Sequence, residues 1–170
     1  FQCSCCPPNI ARFIPSAAEY MYTADDNCLY VNQFMESKAC FKLDGKDVTV
    51  IQKTNYPYDG KVTLTYLGHD AKMAVRVPWW SNEYSDKAEK GFVYFSVSDG
   101  CKLEFDFKMD PYFVEADLHV NSDCGKAALM CGPLVYCMEA VDNGEYLRDI
   151  KIASSSSFER GFDKELGVPY

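Results

Sequence analysis

Apolar and polar positions along the chain change period once, near residue 26. Before it, Ile10, Phe13, Ile14, Ala17, Ala18 and Met21 recur at helical spacing, which predicts a helix over 7–24 with one apolar face. Pro7 and Pro8 suit its first turn, and Pro15 is expected to kink or split it. Asp25-Asp26-Asn27 is expected to end it. After that the period is two. Strands are predicted at Cys28–Met35, Val48–Lys53, Val62–Tyr66 and Met73–Val77. Further strands are predicted at Phe92–Val97, Leu103–Phe107, Phe113–Val120, Ala127–Met130 and Leu134–Glu139. Asp44-Gly45, Asp59-Gly60, Asp99-Gly100 and Asn143-Gly144 supply turns between them, and Asp99-Gly100 reads as a hairpin. Ser154–Ser157 reads as a polar loop. Short strands at regular intervals imply an all-β, antiparallel β-sandwich of jelly-roll type, preceded by one N-terminal helix.

Composition narrows the chemistry. Across 170 residues, 48% are hydrophobic and the formal charge is −8, so a packed core is expected. An excess of carboxylates repels phosphates and anionic lipid, which argues against nucleic-acid and membrane partners. No apolar run reaches membrane-spanning length. The chain opens at Phe1 and closes on Val168-Pro169-Tyr170, which reads as a piece of a longer polypeptide with both natural termini elsewhere.

Nine cysteines, an odd number, do not form the spacing of a disulfide scaffold. Cys28, Cys40, Cys101, Cys131 and Cys137 lie in apolar, strand-like surroundings and are expected to be buried reduced thiols. Cys124 stands in a polar loop. This usage fits a reducing compartment, the bacterial cytoplasm.

The sharpest local feature is Cys3-Ser4-Cys5-Cys6-Pro7-Pro8-Asn9, with three cysteines just before a helix. The helix dipole and free N–H groups favour a thiolate there. Adjacent cysteines disfavour a disulfide with each other, whereas two thiolates at one point can share a soft metal. The residue before Pro7 is expected to be extended, aiming Cys5 and Cys6 away from the helix path. From chemistry alone, a metal or catalytic role and an inert thiol cluster both remain open.

Trp79 and Trp80, with Tyr56 and Tyr58, are candidates for stacking on sugar rings or for packing. Asp106, Asp110, Glu115 and Asp117 read as solvated strand faces, and no calcium-loop spacing is present. His69 and His119 are isolated and read as surface or satisfied core residues.

The string Cys5-Cys6-Pro7-Pro8-Asn9-Ile10-Ala11-Arg12 resembles the signature of glycoside hydrolase family 127, the β-L-arabinofuranosidases. Thr54–Gly60, Val75–Trp80 and Gly132–Tyr136, with Val141–Gly144, resemble the same family in the same order. The resemblance covers residues 1 to about 144 and fades between Trp80 and Phe92. It implies that residues 1–26 end a catalytic (α/α)6 barrel and that 27–170 form a β-sandwich accessory domain. It further implies retaining catalysis with a cysteine nucleophile and zinc held by a Glu and three Cys. Cys5 would match the nucleophile and a zinc ligand, Cys6 a second ligand, and Cys3 a nearby cysteine. A separate Glu would be the acid/base. No Glu-x-Cys pair occurs in this chain to complete the zinc site, so the chain alone is expected to be inactive and to bind zinc weakly or not at all. The implied partner is an arabinose-containing glycan, and family members can dimerise through their β domains. The rival reading is a carbohydrate-binding or structural β-sandwich module with inert cysteines.

Overall fold

The computed structural model describes residues 5–25, 27–153 and 155–170. Cys3 and Asp26, and the first serine of the predicted polar loop, lie outside the described residues. Two compact units divide the chain, Phe1–Phe107 and Lys108–Tyr170, so the 27–170 stretch is spread over both.

The opening helix, α1 (Cys6–Ser16), is shorter than the periodicity implies, and one 3-10 turn at Ala17–Tyr20 follows it. Pro15 lies inside α1. Proline supplies no N–H and crowds the preceding turn, and the regular helix ends one residue later. Residues Tyr22–Ala24, expected as helix, are strand β1. The apolar face of α1 is exposed, with Ile10, Phe13 and Ile14 at 59%, 60% and 66%. Met21 and Tyr22 are buried and hold this segment to the first sheet.

The remaining strands of the first unit are β2 (Cys28–Val31), β3 (Ser37–Leu43), β4 (Lys46–Thr54), β5 (Lys61–Leu67), β6 (Ala71–Arg76), β7 (Phe92–Val97) and β8 (Lys102–Asp106). They form two four-stranded sheets, β1-β2-β6-β7 and β3-β4-β5-β8. Alternation sends Leu29, Val31, Met73 and Val75 from one sheet, and Val48, Val50, Val62, Leu64 and Tyr66 from the other, into one core. Each aliphatic side chain so buried contributes about 1.5–3 kcal/mol relative to exposure. Pairing is antiparallel except between β2 and β6. The chain leaves β2, builds β3, β4 and β5 in the facing sheet, and returns to β6 running the same way.

Two turns differ from expectation in instructive ways. Asp44-Gly45 (φ 49° and 71°) does close a hairpin. Its incoming strand is β3, however, and Cys28–Met35 supplies only the short β2. Asp99-Gly100 does not make a hairpin: β7 pairs with β6 and β8 with β5, so this turn carries the chain from one sheet to the other. It is clamped to the end of β5. Gly100 N donates to Tyr66 O (3.0 Å), Tyr66 N donates to Cys101 O (2.8 Å), and Gly68 N donates to the Asp99 carboxylate (3.0 Å).

One end of this core is aromatic. Phe107 packs against Phe34, Tyr84, Trp80 and Phe105 with ring centroids 5.3–6.2 Å apart. Gly60 sits beside it for a steric reason. A Cβ there would lie 1.8 Å from the Phe107 carbonyl oxygen.

The second unit holds a three-stranded antiparallel meander of β9 (Pro111–Glu115), β10 (Ala127–Cys131) and β11 (Leu134–Tyr136). A short helix α2 (Ala140–Asn143) and a two-stranded ribbon, β12 (Phe162–Asp163) with β13 (Val168–Pro169), complete it. Strands β9 and β11 are shorter than the apolar runs predict, and β10 is one residue longer. Among its described residues Cys131 is the buried hydrophobic side chain, and its Sγ–H donates to Met109 O (2.9 Å). Gly132 (φ 56°) makes the β10–β11 turn, as its sequence implies.

Candidate active site

The cysteine pair stands at the start of α1. Cys5 is the N-cap residue, already in the right-handed helical region (φ −75°, ψ −45°), and Cys6 is the first helical residue. The expected extended geometry before Pro7 is therefore not adopted. Asn9 N donates to Cys5 O (3.3 Å), closing the first turn around the two prolines. Both thiols are exposed, and their sulfurs lie 3.5 Å apart. Pro7 and Pro8 follow immediately and carry no N–H. The first turn thus offers fewer donors to a thiolate than helix N-termini usually do. Arg12 hydrogen-bonds within the helix, to Asn9 Oδ1 (2.7 Å) and Pro8 O (3.4 Å).

Two zinc–sulfur bonds of about 2.3 Å at a tetrahedral angle place sulfurs roughly 3.8 Å apart. The 3.5 Å separation is close to that edge, so the spacing of the pair is compatible with two corners of a zinc site. Among the described residues no three His, Cys, Asp or Glu side chains converge to hold a metal ion.

The other candidates separate clearly. Trp79 is 77% exposed, whereas Trp80 lies half-buried and stacked on Tyr56 (6.4 Å, 13°). Two of the family-like segments, Thr54–Gly60 and Val75–Trp80, therefore meet through this ring pair. The first is closed by its own side chains. Thr54 Oγ1 donates to Lys61 O (2.6 Å) and accepts from Tyr56 N (3.0 Å), and Asp59 Oδ1 accepts from Lys61 N (3.0 Å). Asp106, Asp110, Glu115 and Asp117 are exposed, as expected of solvated faces. His119 Nδ1 lies 2.7 Å from the Asp117 carboxylate on the surface. His69 is not a satisfied core residue, because both ring nitrogens are buried with no hydrogen-bond partner among the described residues.

The thiols expected to be buried divide into three groups. Cys28 and Cys131 are buried, Cys101 is half-buried, and Cys40 and Cys137 are exposed, as is Cys124. Cys40 faces out because β3 is the edge strand of its sheet and presents alternate side chains to water. Burial pushes the Cys28 and Cys131 thiols up in pKa, which keeps them protonated and unreactive at neutral pH.

Sequence reasoning did not find the concave surfaces, of which one bears on function. Asp25, Asn27, Tyr30, Lys72, Glu89 and Tyr94 line a recess on the first unit. They come from separate elements, and no local motif marks them.

The first unit is thus a β-sandwich entered from a helix that carries two exposed thiols at its start. The chain matches two models of one family: the middle domain of the GH127 beta-L-arabinofuranosidases over residues 28–109, and the glycoside hydrolase family 127 C-terminal domain over residues 111–170. It belongs to glycoside hydrolase family 127. It is 38% identical over 173 aligned positions to a non-reducing end beta-L-arabinofuranosidase of Bifidobacterium longum, covering 90% of this chain and 26% of that protein. Its structure is similar to that of a GH127 beta-L-arabinofuranosidase from Geobacillus stearothermophilus T6, with a TM-score of 0.90, 32% identity, and 98% of this chain against 29% of the other. A second solved GH127 beta-arabinofuranosidase gives a TM-score of 0.75 at 30% identity, covering 84% of this chain and 27% of that one. The chain spans about a quarter of the length of the curated relative it matches. No helix among the described residues is long and apolar enough to cross a membrane.

Proposed function

We propose that this chain is part of a retaining glycosidase acting on β-L-arabinofuranosides, with Cys5 as nucleophile and Cys5 and Cys6 as two ligands of a zinc ion. The observation that carries the reading is the pair of exposed sulfurs 3.5 Å apart at the start of α1. Family membership and the named activity of the relatives supply the reaction class.

Bound there, zinc would keep the thiols deprotonated at neutral pH. The Cys5 sulfur would attack the anomeric carbon, forming a C–S bond as the glycosidic C–O bond breaks. The departing oxygen takes a proton from a carboxylic acid on the opposite face of the sugar. Water then replaces sulfur at the same carbon, giving its proton to that carboxylate, and the Cys5 thiolate is regenerated. Two inversions at one carbon retain its configuration.

The acid and the remaining zinc ligands fall outside the described residues under this reading. The 170-residue chain by itself should therefore release no arabinose. In an enzyme of the relatives' length, quenching during turnover and peptide mass spectrometry should find a pentosyl group on the peptide holding Cys5. Finding it on a carboxylate instead would overturn the assignment.

A further inference from the structure

The outer face of the β1-β2-β6-β7 sheet carries a shallow recess of about 550 Å³. Strand register builds it. Strand β6 lies between β2 and β7, so Cys28, Lys72 and Ser96 form one cross-strand row and Tyr30, Ala74 and Tyr94 the next. Their neighbours in sequence, Leu29 and Met73, turn into the core, which leaves these rows facing outward. Ala74, between the two tyrosines, is fully buried. Tyr30 meets Phe92 edge-on at 5.5 Å, and the Arg76 guanidinium lies 4.5 Å above the Phe92 ring. Tyr94 remains 42% exposed.

The polar rim is preorganised at one corner. The Asp25 carboxylate accepts from Cys28 N (3.0 Å) and from Tyr30 O–H (2.9 Å), which fixes both the carboxylate and the ring. Asn27, Lys72, Glu89 and Ser96 add to the polar lining, and Phe95 also borders the recess. Two carboxylates against one ammonium do not make an anion site, and a rim this polar does not suit a purely apolar ligand. A neutral polyhydroxylated ligand suits both features. Its hydroxyls can donate to the carboxylates and accept from Lys72 and Asn27, while its C–H face packs on tyrosine rings. A second recess of about 520 Å³, lined by Asp44, Lys46, His69 and Asp70, shares Asn27 with the first. Asn27 thus lines both recesses, and His69, whose buried ring nitrogens have no partner among the described residues, lines the second. That extent fits a chain of sugars better than a single one.

We propose that this face is a glycan-binding surface for a neutral arabinofuranosyl oligosaccharide. The class of ligand rests on the geometry alone, and the identity of the sugar rests on the proposed activity.

An NMR titration of the 170-residue chain with a short linear arabinofuranosyl oligosaccharide tests it. Saturable shifts are expected at the backbone amides of Asn27, Tyr30, Lys72 and Tyr94. Tyr94→Ala and Lys72→Ala should each weaken binding by about tenfold or more, a change of about 1.4 kcal/mol, with the spectral dispersion of the fold retained. Absence of saturable shifts, or shifts confined to the exposed Trp79, would overturn the proposal. The two readings fail separately. A Cys5→Ser enzyme that keeps its activity refutes the nucleophile and leaves this titration intact. A silent titration beside an inactive Cys5→Ser enzyme refutes the surface alone.

Discussion

A single methyl group added at Gly60 probes the packing of the first unit. An ideal Cβ there lies 1.8 Å from the Phe107 carbonyl oxygen and 2.7 Å from its carbon. That is roughly 1.5 Å inside an ordinary carbon–oxygen contact of about 3.3 Å. Both sides of the clash are backbone, so no rotamer change relieves it. The segments must part, which breaks the hydrogen bond from Phe107 N to Gly60 O (3.0 Å). It also shifts Phe107 away from Phe34, Trp80 and Tyr84. Overpacking of about 1–3 kcal/mol and a lost hydrogen bond of about 1 kcal/mol give a destabilisation of about 2–4 kcal/mol for Gly60→Ala. Urea denaturation followed by tryptophan fluorescence measures it, since both tryptophans, Trp79 and Trp80, belong to the first unit. Gly45→Ala is the control. Its φ of +71° is left-handed but nothing lies within 4 Å of the added atom, so about 1 kcal/mol is expected. A Gly60→Ala cost equal to or below the Gly45→Ala cost would refute the steric argument.

Two further predictions concern buried polar groups. Gln52 is fully buried, and its Nε2 donates to Tyr22 Oη (2.9 Å) and Gln33 O (3.3 Å). Gln52→Ala opens a cavity and removes the hydrogen bonds to Tyr22 Oη and Gln33 O, so a loss of about 2–3 kcal/mol is expected in the same denaturation assay. Burial also raises the pKa of the Cys28 and Cys131 thiols and of the Tyr22, Tyr56 and Tyr66 phenols. The folded state then holds protons that the unfolded chain has released. Stability should be undiminished below about pH 8.5, the ordinary thiol range, and fall on going higher, more steeply beyond about pH 10 as unfolded phenols ionise. Denaturation midpoints across alkaline pH check this, and a midpoint that rises there contradicts it.

The sandwich was legible because its central strands obey a simple alternation. Val48, Val50 and Gln52 face inward on β4, as do Val62, Leu64 and Tyr66 on β5. Strand β3 escaped notice because an edge strand buries little: Lys38, Cys40 and Lys42 face water and Ala39 and Phe41 are only half covered. Asp99-Gly100 is a turn but not the hairpin its sequence implies. Which sheet each flanking strand joins depends on long-range pairing that a dipeptide does not encode. Gly60 was likewise placed in a turn, while its close approach to Phe107 becomes visible only in three dimensions. The cysteine pair stood out in sequence, yet its local geometry did not. The turn closed by Asn9 N and Cys5 O overrides the extended preference of a residue before proline.

The paired sulfurs at the head of α1 remain the centre of the functional account. Metal analysis of the relatives-length enzyme, before and after Cys5→Ser and Cys6→Ser, tests them directly, with arabinofuranosidase activity measured on the same samples. Stoichiometric zinc in the parent, most of it lost together with activity in either variant, is the predicted result. A metal-free parent enzyme, or serine variants that keep full activity, would contradict it.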